Sequence, residues 1–540
     1  MTGTIPIVSS LSEIYTPDVL PGQKARWQSL LSTFETIFPG SEKPQFVARS
    51  PGRVNLIGEH IDYSLYGVLP MAIAADALLA VSVIPYNGDK DKDRVVFEIA
   101  NVEADKFPSR TFSVMQKCLE GREGEEREWH VEIDPMLHEW TNYFKSGLRG
   151  ALALLQRQQH QNYKYYTRMR ILVSGNVPVG GGLSSSAAFV SASALAVCYA
   201  NLPPSRAIDK TSLTELAIVS ERAVGINSGG MDQAASVLSC SGAALHVTFV
   251  PSLKAVPVPM PIEDNSNSLR IVVAQSFVSA DKHVTGPVHY NLRVVECTLA
   301  AVYLNALLHP QTRELPIDAS PLGVSLRGFH TNYFTSNSSD GDEKNELRIL
   351  LALADEKLSQ EEGYTREEIA SVLKISVSEL EERFMTSFPV RAERFKLRQR
   401  AMHVFAEALR VLEFLDLLQH AATVNKKSGI SSIGKELGRL MNETQDSCRK
   451  VYDCSCPEID KLCAIARRNG SLGSRLTGAG WGGCSVHLVP ADRVDDVRKG
   501  WEDEYYKTMK LTLQQRETAV VVSRPGSGSA LWVVGKSSFN

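Results

Sequence analysis

Three consecutive glycines, Gly180, Gly181 and Gly182, run into Ser184, Ser185 and Ser186 and then an Ala-rich stretch without Gly or Pro. Glycine accepts positive φ and lets backbone N–H groups approach a ligand that a Cβ would obstruct. The Ala-rich stretch predicts a helix opening directly out of the glycine turn. Its first turn would present unpaired N–H donors at the positive end of the helix dipole, with serine hydroxyls adding more. Such a donor set suits an anion with several oxygens, a nucleoside triphosphate foremost. The stretch is not a Walker loop, because no Lys follows the last glycine before a Ser or Thr, and it lacks the spaced third glycine of a dinucleotide fingerprint.

Further groups with chemical potential lie on either side. Arg53, Glu59, His60 and Asp62 crowd together just after the bend at Pro51-Gly52, where they could equally form surface ion pairs. Asp232 follows Gly229-Gly230 and precedes another Ala-rich helix start, where a carboxylate could serve only to favour a helix N-terminus. Glu221 falls late in a helix that the capping-box spacing Ser212 to Glu215 would begin and Gly225 would end. Near the C-terminus, Gly470 to Pro490 holds six glycines between a predicted helix and a strand, a density that implies close backbone approach to a ligand.

PVGGGLSSSAA resembles the second motif of the GHMP kinases, and PGRVNLIGEHIDY is very similar to the signature that opens galactokinases. GGMDQ is also a galactokinase string, and GSLGSRLTGAGWGGCSVHLVP resembles the third GHMP motif. The order and span of these motifs, from residue 49 to 490, identify the chain as a member of the galactokinase family, most like its fungal members. The resemblance implies an α+β fold of two GHMP domains with the active site in the cleft between them. We expect the N-terminal domain over 1–250 and the C-terminal domain over 251–540, with a surface insertion near 309–345 that is low in apolar residues and mobile.

The resemblance also implies an activity, transfer of the ATP γ-phosphoryl group to the 1-hydroxyl of α-D-galactose, with Mg²⁺. Glu59, His60 and Asp62 would hydrogen-bond sugar hydroxyls, with Ser228 and Tyr290 as further sugar contacts. Sugar hydroxyls both donate and accept, so carboxylates and an imidazole can satisfy each one and leave an epimer with an unpaired group. Asp232 would face the anomeric hydroxyl as base, and Arg53 would stabilise that carboxylate and the moving phosphoryl group. Gly180, Gly181, Gly182, Ser184, Ser185 and Ser186 would hold the phosphates, and Ser186 with Glu221 would bind Mg²⁺. Trp140 would stack on the adenine or pack in the core, and Asp281 and Lys282 lie where some relatives meet the nucleotide. Two rival functions follow from the same resemblance: an N-acetylgalactosamine kinase, and a transcriptional co-inducer that binds galactose and ATP and contacts a repressor. Co-inducers of that kind have a shortened loop, whereas Ser184 to Ala188 is complete here.

The elements that must position these residues are legible in outline. Trp27, Leu30, Leu31, Phe34, Ile37 and Phe38 recur at helical spacing over Ala25 to Phe38. MRILVSGNVPV and LRIVVAQSFV read as strands, WTNYFKSGLRGALALLQ from Trp140 and residues 366 to 418 as helices, and VVVSRPGSGSALWVV as a strand pair about its RPGSGS turn. A net charge of −3 gives no support to nucleic acid or anionic membrane as partner. The most apolar long stretch, Val68 to Pro85, is interrupted by Asp76 and too short to span a bilayer of the ~20 residues required. With no targeting segment at Met1 to Ser10 and nine scattered cysteines, the expectation is a cytoplasmic monomer with reduced thiols. Cys448, Cys454, Cys456 and Cys463 cluster without paired CxxC knuckles or an intervening His, which favours plain thiols over a metal site.

Overall fold

The computed structural model describes residues 3–40, 43–84, 94–118, 127–134, 137, 139–157, 168–202, 207–224, 229–261, 268–279, 285–311, 314–337, 341–387, 389–423 and 430–539. Its strands are β1 (Ile7–Val8), β2 (Phe46–Asn55), β3 (Pro70–Ile84), β4 (Arg94–Asn101), β5 (Arg110–Cys118), β6 (Arg127–His130), β7 (Arg168–Gly175), β8 (Ala243–Thr248), β9 (Lys254–Pro259), β10 (Leu269–Gln275), β11 (Gly473–Thr477), β12 (Cys484–Pro490), β13 (Val520–Ser523) and β14 (Ala530–Val533). They form an eight-stranded sheet of order β1-β14-β2-β3-β7-β4-β5-β6, a four-stranded sheet β11-β12-β10-β13 and the pair β8-β9.

Strand parity decides what covers the large sheet, because successive side chains point to opposite faces. Val47, Leu78, Ala80 and Leu172 face one way and pack against Trp27, Leu30 and Phe34 of helix α1 (Leu20–Ile37). Phe46, Ala48, Leu79, Val81, Ile171 and Val173 face the other, where helices α2 (Thr141–Arg157), α3 (Ser185–Asn201), α4 (Lys210–Glu221) and α5 (Met231–Leu238) lie. With both faces covered, every residue of β2 is buried. The apolar stretch around Val68 to Pro85 is therefore a central strand, β3, and its Asp76 is a buried anchor.

That anchor ties four segments together. Asp76 accepts from Tyr15 Oη at 2.6 Å, Arg26 at 2.6 Å and Arg49 Nε at 2.7 Å, while Arg49 also donates to the carbonyls of Ser527 and Gly528 at 2.8 Å. Burial would raise the Asp76 carboxyl, but Arg26 and Arg49 outweigh it and hold it below its ordinary value. Asp76→Ala strands two buried cations and should cost about 3–5 kcal/mol, read by urea denaturation. A depressed folded-state pKa stabilises above the unfolded value of about 4, so this contribution should fade as pH falls below it.

The C-terminal half adds α6 (Tyr290–Leu308), α7 (Leu326–Ser336), α8 (Glu343–Lys357), α9 (Arg366–Leu373), α10 (Val377–Met385), α11 (Leu397–Thr423), α12 (Ile430–Lys450), α13 (Pro457–Arg468) and α14 (Val494–Glu504). Of the described helices only α6 is long and apolar enough to cross a membrane, and 83% of that window is buried inside the protein. Within 309–345, where low apolar content suggests a surface insertion, the structure has α7, which buries Leu326, Phe329 and His330. The proposed hairpin about RPGSGS is not formed: β13 pairs with β10, while β14 crosses to the large sheet and pairs with β2. Helix α4 starts earlier than the Ser212 to Glu215 spacing implies, because Asp209 caps it by accepting from Ser212 N at 2.7 Å.

Candidate active site

The site begins at an irregularity in β2. Pro51 has no N–H for the ladder, and the register with β3 shifts between Pro51 and Arg53. A Cβ on Gly52 would lie 2.7 Å from the Leu183 carbonyl, so only glycine lets the phosphate-type loop come this close. Arg53 N donates to that carbonyl at 3.0 Å instead of to β3. The bulge turns the Arg53 guanidinium toward Asp232, which it meets through Nε at 2.8 Å and through Nη2 at 2.6 Å. Its Nη1 donates to the Gly182 carbonyl at 2.6 Å. One buried cation thus joins the carboxylate to the loop.

Asp232 sits in the first turn of α5, after Gly230 at φ +113°, and its side chain remains 22% exposed, enough to meet a substrate. Although burial opposes its charge, Asp232 and then Glu59 hold Arg53 more firmly protonated than a free arginine. Gly180 and Gly182 take φ of +72° and +69° at no steric cost, whereas Ser184, the N-cap of α3, takes +60° and carries strain. The Ser184 hydroxyl is buried with no hydrogen-bond partner among the described residues. Ser185 and Ser186 open α3 and are half-buried. Facing this loop is the turn between β11 and β12, where a Cβ on Gly478 would stand 2.2 Å from the Gly182 carbonyl. A cleft lies between Gly180 and Gly182, Gly286 and Tyr290, and Ala479 and Trp481.

The remaining candidates fall into place unevenly. Glu59 is buried, with its carboxylate accepting from Arg475 and from Gly478 N at 3.2 Å. Asp62 is buried beside Asp232 and accepts from Met231 N at 3.4 Å; burial and then Asp232 raise its carboxyl. Tyr290, at the head of α6, lies 5.6 Å ring to ring from both His60 and Tyr63, and burial followed by Asp62 and Asp232 pushes its phenol up.

His60 is buried and hydrogen-bonded within the protein. Its Nε2 faces the Ala479 carbonyl at 3.0 Å, an acceptor only, so Nε2 carries the proton; Nδ1 meets Tyr63 Oη at 3.0 Å. Both ring nitrogens have partners within the protein, and the ring packs among Tyr63, Tyr290, Tyr452 and Trp481. Trp140 is half-buried, stacked at 5.9 Å on Phe189 of α3, and its Nε1 donates to the Pro108 carbonyl at 3.0 Å. Glu221 ends α4 buried, accepting from Gln233 Nε2 at 2.5 Å. Ser228, Asp281 and Lys282 lie outside the described residues. Cys448, Cys454, Cys456 and Cys463 are free thiols, and no group of three or more His, Cys, Asp or Glu that could hold a metal ion occurs among the described residues.

Sequence reasoning missed Arg475, although it lies within the glycine-rich third stretch, because nothing local marks it as the partner of Glu59. It also missed Trp481, whose ring stacks on His289 at 4.4 Å and under Arg293 at 5.2 Å to wall the cleft.

Comparison with known proteins bears on the same residues. A galactokinase galactose-binding signature matches residues 32–83, the GHMP kinase N-terminal domain 142–240 and the GHMP kinase C-terminal domain 430–507. The galactokinase of Saccharomyces cerevisiae is 41% identical over 507 residues, covering 91% of this chain and 92% of the relative. The chain belongs to the galactokinase family. Family members from Candida parapsilosis and Dictyostelium discoideum are each 38% identical, over 98% and 93% of this chain and 98% and 91% of the respective relatives. The fold is that of the family too: the crystal structure of Lactococcus lactis galactokinase complexed with galactose superposes with a TM-score of 0.58 at 23% identity, covering 94% of this chain and 99% of that one. The architecture is therefore the α+β GHMP kinase fold. Within it, the galactokinase signature spans Arg53 to Asp62, and the N-terminal model spans both the glycine loop and Asp232.

Proposed function

We propose that the protein transfers the γ-phosphoryl group of ATP to the 1-hydroxyl of α-D-galactose, giving galactose 1-phosphate and ADP. The observation that carries this reading is the single guanidinium, Arg53, bonded at once to Asp232 and to the Gly182 carbonyl of the glycine loop. A carboxylate fixed beside a polyphosphate cradle is what a hydroxyl-to-phosphoryl transfer needs, since positioning and charge stabilisation dominate such chemistry.

In this reading the sugar lies between Asp62, Glu59, Tyr290 and Asp232, with its anomeric hydroxyl on Asp232. The Asp232 carboxylate accepts the proton as the sugar oxygen forms its bond to the γ-phosphorus, and the bond from that phosphorus to the bridging oxygen breaks to release ADP. Arg53 holds the Asp232 carboxylate in place and offsets charge on the phosphoryl oxygens. Backbone N–H groups of Gly180 to Ser186 and the start of α3 receive the phosphates. Glu59, held by Arg475, keeps lone pairs for a sugar hydroxyl, because a carboxylate accepts about four hydrogen bonds. Trp140, close to α3 through Phe189, is proposed as an edge of the adenine site.

Mg²⁺ fits the donor set available. The Ser186 hydroxyl heads α3, and the Glu221 carboxylate ends α4, which packs on α3; both are the hard oxygen ligands such an ion prefers. When bound it would neutralise phosphate charge. Such an ion takes its remaining ligands from phosphate and water, so two protein oxygens suffice.

Gly478→Ala should test the contact between the two glycine turns, since the new Cβ would meet the Gly182 carbonyl at 2.2 Å with φ at +89°. We expect KM for ATP to rise by on the order of tenfold, as a displacement of about 1 Å is costly in such sites. ATP saturation curves at fixed galactose measure it; an unchanged KM would remove the opposing turn from nucleotide binding.

A coupled ADP-release assay separates the rival activities. Galactose should be turned over with kcat/KM at least on the order of 10²-fold above N-acetylgalactosamine. Preference for the acetylated sugar, or binding of galactose and ATP without ADP release, would overturn the assignment in favour of the N-acetylgalactosamine kinase or the co-inducer.

A further inference from the structure

His403, Glu407 and Val411 recur every fourth residue on α11 and so share one face. Two of the three are polar, yet all three are buried, which for an acid calls for dedicated partners. Glu407 has four. Its Oε1 accepts from Gly58 N at 2.8 Å and Glu59 N at 3.1 Å. Its Oε2 accepts from Arg410 Nε and from Thr444 Oγ1, both at 2.8 Å. Burial opposes the charge, but Arg410 and then Arg475 hold this carboxyl down to about 2.

His403 reaches the other side of the same peptide segment. Its Nε2 lies 3.0 Å from the Glu59 carbonyl and its Nδ1 2.8 Å from Ser447 Oγ. A carbonyl only accepts, so Nε2 carries the proton and Nδ1 receives the serine hydroxyl. Burial holds this imidazole down to about 3, so it is neutral throughout the working range. Val411 completes the contact, since a Cβ on Gly58 would lie 3.1 Å from its Cγ2. Every polar handle of Glu59 is therefore held from the C-terminal half: N–H by Glu407, C=O by His403, carboxylate by Arg475 and Gly478 N. Three residues on, Asp62 leaves this clamped segment and faces Asp232.

We propose that Glu407 and His403 are positioning residues for sugar binding: from α11 they fix the Gly58 to Asp62 main chain, and with it the geometry of the carboxylates that select the sugar. The inference rests on the galactose reading above. Neither side chain lies along the glycine loop, so the nucleotide should not sense them.

The test uses the full chain as wild type, His403→Leu, His403→Gln and Glu407→Gln. It measures kcat, KM for galactose, KM for ATP, and galactose Kd by calorimetry with a non-hydrolysable ATP analogue. His403→Leu deletes one hydrogen bond to Glu59, and KM and Kd for galactose should rise by on the order of tenfold with KM for ATP within about twofold. His403→Gln, whose amide can reach the same carbonyl, should regain most of that loss. Glu407→Gln should show the same sugar-selective split, because its amide group must face a donor on one side or the other. Should His403→Leu not fold, the two glutamine variants, which keep side-chain bulk, decide the matter. Galactose and ATP constants that move together, or a galactose constant unmoved in every variant, overturn the proposal. Wild type that binds galactose without phosphorylating it sinks the kinase reading while the Kd values still judge the clamp; wild type that does not bind galactose overturns both.

Discussion

Asp232→Asn is expected to lower kcat by about 10²-fold or more while galactose still binds, the loss typical of a removed general base. Asparagine has the same shape, and its carbonyl oxygen can still accept from Arg53 Nε and Nη2, so the constellation at 2.8 and 2.6 Å should survive. What it cannot do is take up the proton of the attacking hydroxyl. Steady-state kinetics with the coupled assay, together with galactose Kd, separate loss of chemistry from loss of binding. Near-normal kcat in the asparagine variant would eliminate Asp232 as base.

Arg53→Lys is expected to lower kcat/KM by roughly 10²–10³-fold although charge is conserved, in line with removal of preorganised donors at a reacting centre. The guanidinium spans two partners, with Nε and Nη2 on Asp232 and Nη1 on the Gly182 carbonyl at 2.6 Å. An ammonium is a single point that can sit near one or the other, and the planar fork is lost. The freed partner would then be a half-buried carboxylate or a loop carbonyl. Retention of most of the activity in the lysine variant, at unchanged thermal stability, would mean that Arg53 supplies charge alone and that the bridge between loop and base is incidental.

Which of these residues the sequence marks, and which it does not, follows from the range of the interactions. The glycine loop and the opening turn of α3 are local: three glycines, three serines and an Ala-rich run specify turn and helix within 25 residues, Asn176 to Ala200. Asp232 and Arg53 are 179 positions apart, and only their surrounding strings tied them to one site. The means by which they meet, a bulge where Pro51 withholds an N–H and Gly52 admits the Leu183 carbonyl, was visible merely as a bend.

The omissions and misreadings have the same origin. The motif places His60 at the sugar but says nothing of its protein partners, the Tyr63 hydroxyl and the Ala479 carbonyl, the latter 419 positions away. Glu407 and His403 lie in the stretch 366 to 418, which reads only as helix, because periodicity does not say that another part of the chain will bury a polar face. VVVSRPGSGSALWVV has the local pattern of a hairpin, yet the carbonyls of Ser527 and Gly528 are captured by Arg49, and the second strand completes the large sheet beside β2. Local chemistry was legible throughout; which distant group would satisfy each buried polar atom was not.

The most direct measurement is the identity of the product. When the purified protein is incubated with ATP, Mg²⁺ and galactose and the mixture followed by phosphorus NMR with proton correlation, the account predicts one sugar phosphomonoester, on the anomeric oxygen and in the α configuration, formed in step with ADP. Phosphate on any other sugar oxygen, or ADP formed without a sugar phosphate, would contradict it.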